Sequence, residues 1–435
     1  MTAGWRWMIG LLAGAGLAAA RPEPLAAQQL EVTLPEAVRR ALDVQPAVVQ
    51  ARGAVTNAGW QKRAAYGAFL PTVSLTSTAS RQNDTTVGGI GVKIPPGIYT
   101  YNTGLTASVD LFTGFKRLAS YRNADATEDA ADAGLANQRY QVTAATQQLF
   151  FTALADEELV RVAQAQVQRA QEERQISVNK FQAGAATRSD TLTSTVDLGN
   201  AQLALLQAQA NLATAQANLA RQIGVDGTVR AVPDSQLPAL PDTTGLRAAA
   251  LQQAPAVTQA TAQERAASAS TWTSRSQFWP KLTATYNTSS QGLTQPWNGF
   301  DSPTQKNLNR FTIGLSWTLF DGFTREQAVA QSSVSLDVAR AQTADTRRQL
   351  SAQLTQQLAA TFTGHAQIGI TGANVVAAAE ALRVQQERYR LGAATLLDLL
   401  TAEANLTQAE VNQVQARYNY LIARVQVEAL VGHTL

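Results

Sequence analysis

Cysteine is absent from the 435 residues, so no disulfide, thiolate nucleophile or zinc–thiolate site can form, and no lipid can be attached through a thiol. There are two histidines, His365 in a long polar stretch and His433 near the end. Both are expected to be solvated surface groups. Charge is scarce too: Asp, Glu, Lys and Arg make up 15%, against about 25% in an average soluble protein. The net charge of +3 is scattered, and no basic stripe with interleaved aromatics argues for a nucleic-acid partner. No metal-ligand cluster and no Gly-rich phosphate loop stands out. The acidic pairs Glu157-Glu158 and Glu172-Glu173 fall in long helical stretches and are read as solvated faces. An enzyme is therefore poorly supported, and no cofactor is expected.

Long hydrophobic runs are also missing. Ile9 to Ala20, behind Arg6, is a 12-residue apolar run, too short to span a bilayer. With the small-residue site Leu25-Ala-Ala27, it marks residues 1–27 as an expected secretory signal peptide. Nothing after residue 28 has the length of a transmembrane helix. If the exported chain enters a membrane, it must do so as a β-barrel.

What the chain does contain is a repetition. Phe181-Gln-Ala-Gly-Ala-Ala-Thr187 recurs as Tyr389-Arg-Leu-Gly-Ala-Ala-Thr395, and Leu111-Phe-Thr-Gly-Phe115 as Leu319-Phe-Asp-Gly-Phe323, both at an offset of 208. Phe69-Leu-Pro71 recurs as Phe278-Trp-Pro280, and Pro46-Ala-Val48 as Pro255-Ala-Val257, both at 209. Four landmarks in one order at one spacing imply an internally duplicated chain. Residues 28–224 form the first repeat, 225–245 a proline-rich linker or equatorial belt, and 246–435 the second.

Each repeat carries the same elements. A helix opening at Leu34-Pro-Glu-Ala37 is expected to run to about Tyr66. After Pro71 the pattern has period two, with Val73, Leu75 and Ala79 against Thr72, Ser74, Thr76, Thr78 and Ser80. Leu105, Ala107, Val109 and Leu111 alternate in the same way. Strands are therefore expected at about 72–83 and 101–112, and in the second repeat at about 281–290 and 310–320. Each pair feeds a helix of about 65 residues, roughly 97 Å long. Each return helix begins beyond a tip turn, at 181–187 and 389–395. Leu198, Leu205, Leu212 and Leu219 give the first return helix a heptad seam suited to coiled-coil packing.

Four two-faced strands cannot close a transmembrane barrel, which takes at least about eight. Open edges in lipid leave backbone groups unsatisfied. Two copies would leave an interior filled by side chains, whereas three leave room for a conduit. Aromatics flank the strands at both ends: Phe69, Phe112, Phe115, Phe278, Trp279, Phe320 and Phe323 at one, Tyr99, Tyr101, Trp297, Phe300 and Phe311 at the other. Such belts suit two membrane interfaces.

The stretch Tyr389-Arg-Leu-Gly-Ala-Ala-Thr-Leu-Leu-Asp-Leu-Leu-Thr-Ala402, the Leu-Phe-x-Gly corners and the Leu-Pro or Trp-Pro corners together resemble the TolC family of outer-membrane efflux and secretion ducts. The resemblance covers essentially the whole mature chain. It implies an α+β membrane protein: a homotrimer with a 12-stranded barrel in outer-membrane lipid and a long α-helical coiled-coil tunnel into the periplasm. Its implied partners are a periplasmic adaptor (membrane fusion) protein and an inner-membrane pump of RND, ABC or MFS type. Asp398 falls where the family places an inward acidic ring at the periplasmic aperture, and Thr401 where some members carry a second. Asp190 and Tyr389 match a pair that ties neighbouring helices shut. A further tie uses a basic residue where this chain has Ala394. A second, independent expectation for Asp190 and Asp398 is stabilisation of a helix N-terminus, worth about 0.3–1 kcal/mol. The tips Gly184, Ala185, Ala186, Thr187 and Gly392, Ala393, Ala394, Thr395 are small enough for adaptor docking, or are simply tight turns. The cargo stays open among drugs, metals and proteins. A soluble periplasmic coiled-coil scaffold is the alternative, and it leaves the two-faced strands unexplained.

Overall fold

The computed structural model describes residues 30–81, 83, 85–87, 93–94, 97, 99–233, 238–240, 245–293 and 306–435. The expected signal peptide, Trp297 and Phe300 lie outside the described residues. In chain order the first half comprises β1 (Leu30–Val32), α1 (Leu34–Val44), α2 (Pro46–Gly67), β2 (Thr72–Arg81), β3 (Thr86–Val87), β4 (Lys93–Ile94), β5 (Tyr99–Phe112), α3 (Lys116–Gln182) and α4 (Arg188–Ile223). The second comprises β6 (Val229–Ala231), α5 (Leu246–Gln253), α6 (Pro255–Arg275), β7 (Lys281–Gly292), β8 (Lys306–Ser316), α7 (Thr324–Arg390) and α8 (Leu396–Val431). None of these helices is long and apolar enough to cross a membrane.

The helix expected from Leu34 to Tyr66 is in fact two. Gln45, at ψ 124°, is extended and separates α1 from α2. Pro46 disfavours a helical conformation in the residue before it. The second half breaks in the same manner, at Ala254 (ψ 140°) before Pro255. The long helices α3 and α7 each hold 67 residues, about 100 Å of rise, and the return helices α4 and α8 each hold 36. The expected heptad seam is in place: Ala201 and Leu219 are fully buried, and Leu198 and Leu205 pack on Val167 and Ala170 of α3.

The four long strands form one antiparallel sheet in the order β2-β5-β7-β8, with β2 and β8 as unpaired edges. Register aligns Val73, Ala107, Tyr286 and Phe311 in one row, and Val109, Ala284 and Ile313 in another. The opposite face carries Ser74, Thr106, Asn287 and Arg310, and Asn287 Nδ2 donates to Thr106 Oγ1 at 2.8 Å. The apolar face is bare: Leu75 and Leu315 are each 71% exposed.

Two strand expectations are corrected. Leu111 does not continue the apolar row, because the register slips between Asp110 and Phe112, and it is Phe112 that pairs with Leu282. A bulge moves one residue out of the alternation, and a Leu-Phe pair keeps the row apolar across the slip. The last strand stops at Ser316, short of 320, where Trp317 leaves the ladder and its Nε1 donates to Phe278 O at 3.1 Å.

Both strand-to-helix corners turn on consecutive left-handed residues, Gly114-Phe115 and Gly322-Phe323. The phenylalanines take φ 66° and 68°, a conformation costing an L residue about 1–2 kcal/mol. Edge-on packing against Phe112 and Phe320, at 5.5 and 5.6 Å, accompanies each turn. An arginine closes each corner. Arg117 lies over Phe69 and donates to Leu111 O, and Arg325 lies over Phe278 and donates to Thr318 O.

The main core sits midway along the helices. There β1 and β6 pair in parallel, and Val32 and Val229 are fully buried with Ala41, Phe150, Leu219 and Ile223. The inter-repeat segment thus contributes a strand. Further along it, Pro238 and Ala239 offer their carbonyls to Tyr420 Oη at 3.0 Å each.

The two corner glycines predict a paired result. Both Gly114→Ala and Gly322→Ala impose the left-handed cost. Only at Gly114 would the new Cβ meet other atoms, with Trp279 Cβ at 2.2 Å and Ser276 O at 2.7 Å. Gly114→Ala should therefore destabilise by about 1–3 kcal/mol more than Gly322→Ala, read as a lower thermal midpoint by circular dichroism.

Candidate functional site: the helical tips

The two tips are built alike. After α3, Gly184 (φ 73°) reverses the chain, and Ala185 N donates to Lys180 O at 2.8 Å. After α7, Gly392 (φ 78°) does the same, with Ala393 N donating to Arg388 O at 2.7 Å. Neither glycine has an atom within 4 Å of where a Cβ would stand, so it is the left-handed turn that calls for glycine. Gly184, Ala185, Thr187, Gly392, Ala393 and Thr395 are exposed, and Ala186 and Ala394 are half-buried.

Asp190 and Asp398 each occupy the third position of a return helix and complete a capping box. Thr187 N donates to Asp190 Oδ2 and Thr395 N to Asp398 Oδ2, both at 2.9 Å, while Asp190 N and Asp398 N donate to the threonine hydroxyls at 3.2 Å. The Thr395 hydroxyl and amide, aided by Arg388, hold the Asp398 carboxyl below the usual range. Thr401, one turn on, is exposed and returns its hydroxyl to Leu397 O at 2.7 Å.

Tyr389 differs from its counterpart. It is 6% exposed and packs with Leu382, Leu396, Leu399 and Leu406, whereas Phe181 is 45% exposed. The structure does not join Tyr389 to Asp190 by a hydrogen bond. The Tyr389 hydroxyl is buried without a partner, and Asp190 spends its carboxylate on its own cap. Burial raises the Tyr389 phenol, Ser177 beside the hydroxyl opposes the shift, and the nearby carboxylates of Asp190 and Glu173 add to it. The link between the tips is instead Lys180, whose ammonium lies 3.7 Å from the Tyr389 ring centre and donates to Tyr389 O. Sequence reasoning did not single out Lys180. One signal was available, a lone cation in the turn before a small-residue tip.

Two turns deeper along α3, the solvated-face reading of Glu173 is corrected. Glu173 is 4% exposed and Glu403 6%, and with Asp197 their carboxyl oxygens lie within 4.8 Å of one another. Both oxygens of Glu173 and one of Glu403 have no hydrogen-bond donor. Burial pushes Glu173 up to about 9 and also raises Glu403, their mutual proximity raises Glu173 further while it opposes the shift of Glu403, and Arg169 opposes both shifts. With a proton on one of them, the two carboxyl groups could satisfy each other through a hydrogen bond. Arg169 itself reaches α8, donating to Glu410 at 3.2 Å and Thr407 at 3.1 Å. Nothing in the local sequence distinguishes Glu173 from exposed Glu172. Only the face of α3 turned toward α8 does.

A profile of outer membrane efflux proteins matches residues 37–225 and again 246–433. The chain belongs to the outer membrane efflux protein family. Membership places it at the outer membrane, in a family of efflux proteins. The outer membrane efflux protein BepC of Brucella suis biovar 1 (strain 1330) is 30% identical over 196 residues, 42% of this chain. That match spans 39% of the relative's length. Two solved structures share the efflux-protein fold. The Campylobacter jejuni CmeC outer membrane channel is 19% identical, with a TM-score of 0.80 over 92% of this chain and 85% of that one. The open state of the Neisseria gonorrhoeae MtrE outer membrane channel is 20% identical, with 0.76 over 92% and 89%.

The buried pair fixes a pH dependence. A carboxyl whose folded pKa is raised stabilises the fold while protonated, and that contribution is lost as pH rises above the ordinary glutamate range. The helical thermal midpoint should therefore fall from about pH 5 to about pH 8. Glu403→Gln, which cannot ionise, should flatten that fall. An unchanged slope would mean that the pair is ionised in the fold.

Proposed function

We propose that three copies of this chain form a passive exit duct of a tripartite efflux or type I secretion system. The duct takes substrates delivered by an inner-membrane pump of RND, ABC or MFS type through a periplasmic adaptor. The observation that carries this reading is the four-stranded sheet: apolar on one face, polar on the other, open at both edges, and running directly into 67-residue helices. Three sheets joined edge to edge give a 12-stranded barrel whose polar faces line a lumen. Exposed apolar side chains on the two flanking helices, Val196, Leu203 and Leu206 of α4 and Val334, Ile370 and Val376 of α7, support packing against neighbouring copies.

At the periplasmic end, the small, weakly charged tip turns are suited to docking an adaptor's helical hairpin. Asp398, exposed beside its cap, forms a ring of three carboxylates when copied around the axis, and Tyr389, Asp190 and Thr401 border it. Such a ring attracts cations into a narrow opening. No covalent step is assigned to the duct.

In planar bilayers the wild-type trimer should conduct with a cation preference, and Asp398→Ala should lower that preference several-fold while leaving the oligomer intact. Equal selectivity would remove Asp398 from the aperture. Photocrosslinkers at Ala185 and Ala393 should capture the adaptor in cells carrying a working pump, and failure there would remove the tips as the docking surface.

A further inference from the structure

Where α3 leaves the sheet and α6 reaches it, the two helices enclose an open groove of about 550 Å³. Its upper wall is aromatic and aliphatic: Phe115, Leu118, Trp272 and Trp279, all exposed. Its lower wall carries Arg122 of α3 and Arg265 of α6, and Arg275 flanks Trp272, with its guanidinium 5.9 Å from the ring centre. These residues recur at three- and four-residue spacings, so each helix presents a single face to the groove.

The groove has a definite side. A second cavity at the same junction is lined by Asp110, Lys281 and Ser316, which all belong to the polar face of the sheet. The aromatic groove opens on the other side, continuous with the apolar strand face. It also has a definite polarity. Trp279 and Phe115 lie at the sheet, and Arg122 lies about 9 Å further along α3. The apolar end is therefore beside the barrel wall and the cationic end lies toward the periplasm. None of the three arginines forms a salt bridge among the described residues. The acidic groups next along α3, Asp125 and Glu128, are held by Lys62 of α2 at 2.6 and 2.8 Å.

We propose that this groove binds an anionic phospholipid of the periplasmic leaflet, its phosphate between Arg122 and Arg265 and its chains against Trp272, Trp279 and Phe115. Arginine clusters just outside the hydrocarbon recognise anionic headgroups, and interfacial tryptophans pack on the region between headgroup and chain. A zwitterionic lipid cancels its phosphate with its own cation and so offsets the two guanidinium charges less, and a soluble protein partner would not match the continuity with the strand wall. The proposal rests on the reading of the apolar sheet face as membrane-embedded.

The test uses the full-length protein reconstituted in vesicles of phosphatidylglycerol and phosphatidylcholine in equal amounts. Extraction and native mass spectrometry then count the lipids retained. Heat-modifiable trimer is scored first for every variant. The wild type should retain phosphatidylglycerol in preference to phosphatidylcholine. The double variant Arg122→Gln/Arg265→Gln should lose that preference about tenfold, and a control Arg347→Gln should keep it. A trimer that retains both lipids equally, or a double variant indistinguishable from wild type, overturns the site while leaving the duct intact. Displacement of the retained lipid by millimolar inorganic phosphate would assign the arginines to a free anion instead, and also overturns it. If no membrane trimer forms at all, the duct reading fails and the lipid site with it.

Discussion

Every backbone N–H and C=O inside a bilayer must find a partner within the protein, because the hydrocarbon offers none. In this chain that demand falls on two strand edges, β2 and β8, which the fold leaves unpaired. The sheet is apolar on one side and polar on the other, so it suits neither a soluble core nor an isolated place in lipid. In the proposed duct, closure with copies of itself would satisfy the edges and sort the faces, apolar to lipid and polar to lumen. The long helices would then continue each sheet into the periplasm, and their equal length would give the assembled body a constant reach.

The junction between these parts concentrates the specialised chemistry. Two consecutive left-handed residues redirect each strand into its helix, and an arginine lying over an aromatic ring seals each turn. One side of that junction is aromatic and cationic, the other polar. At the far end the demands differ: the tips are small and exposed, and behind them the helices are joined by Lys180 on Tyr389 and by a buried carboxyl pair. A coiled-coil tip with a polar seam can be loosened by protons, charges or a docking partner, which a wholly apolar seam would resist.

Much of this was legible in the sequence, because local patterns fix it. Period-two alternation placed all four strands, heptad leucines placed the return helix, and the Thr-x-x-Asp spacing at both tips is a capping box in plain view. What escaped detection depended on contacts between distant segments. Pro46 and Pro255 were noted as repeat landmarks, yet the extended Gln45 and Ala254 before them were not. The bulge at Leu111 was hidden because both residues of the slip are apolar. Glu173 and Glu172 read alike until α8 is placed beside one of them. The β1–β6 pairing joins segments about two hundred residues apart, beyond any local signal.

Because the chain has no cysteine, edge closure can be read directly by introduced thiols. Thr76→Cys on β2, combined in turn with single cysteines along β8 from Leu308 to Ile313, should on oxidation give a ladder of dimer and trimer at one preferred register, in the outer-membrane fraction. Trimer as the largest product is the result this account predicts. Products confined to monomer at every register, or an open ladder extending past trimer, would contradict a barrel closed by three chains.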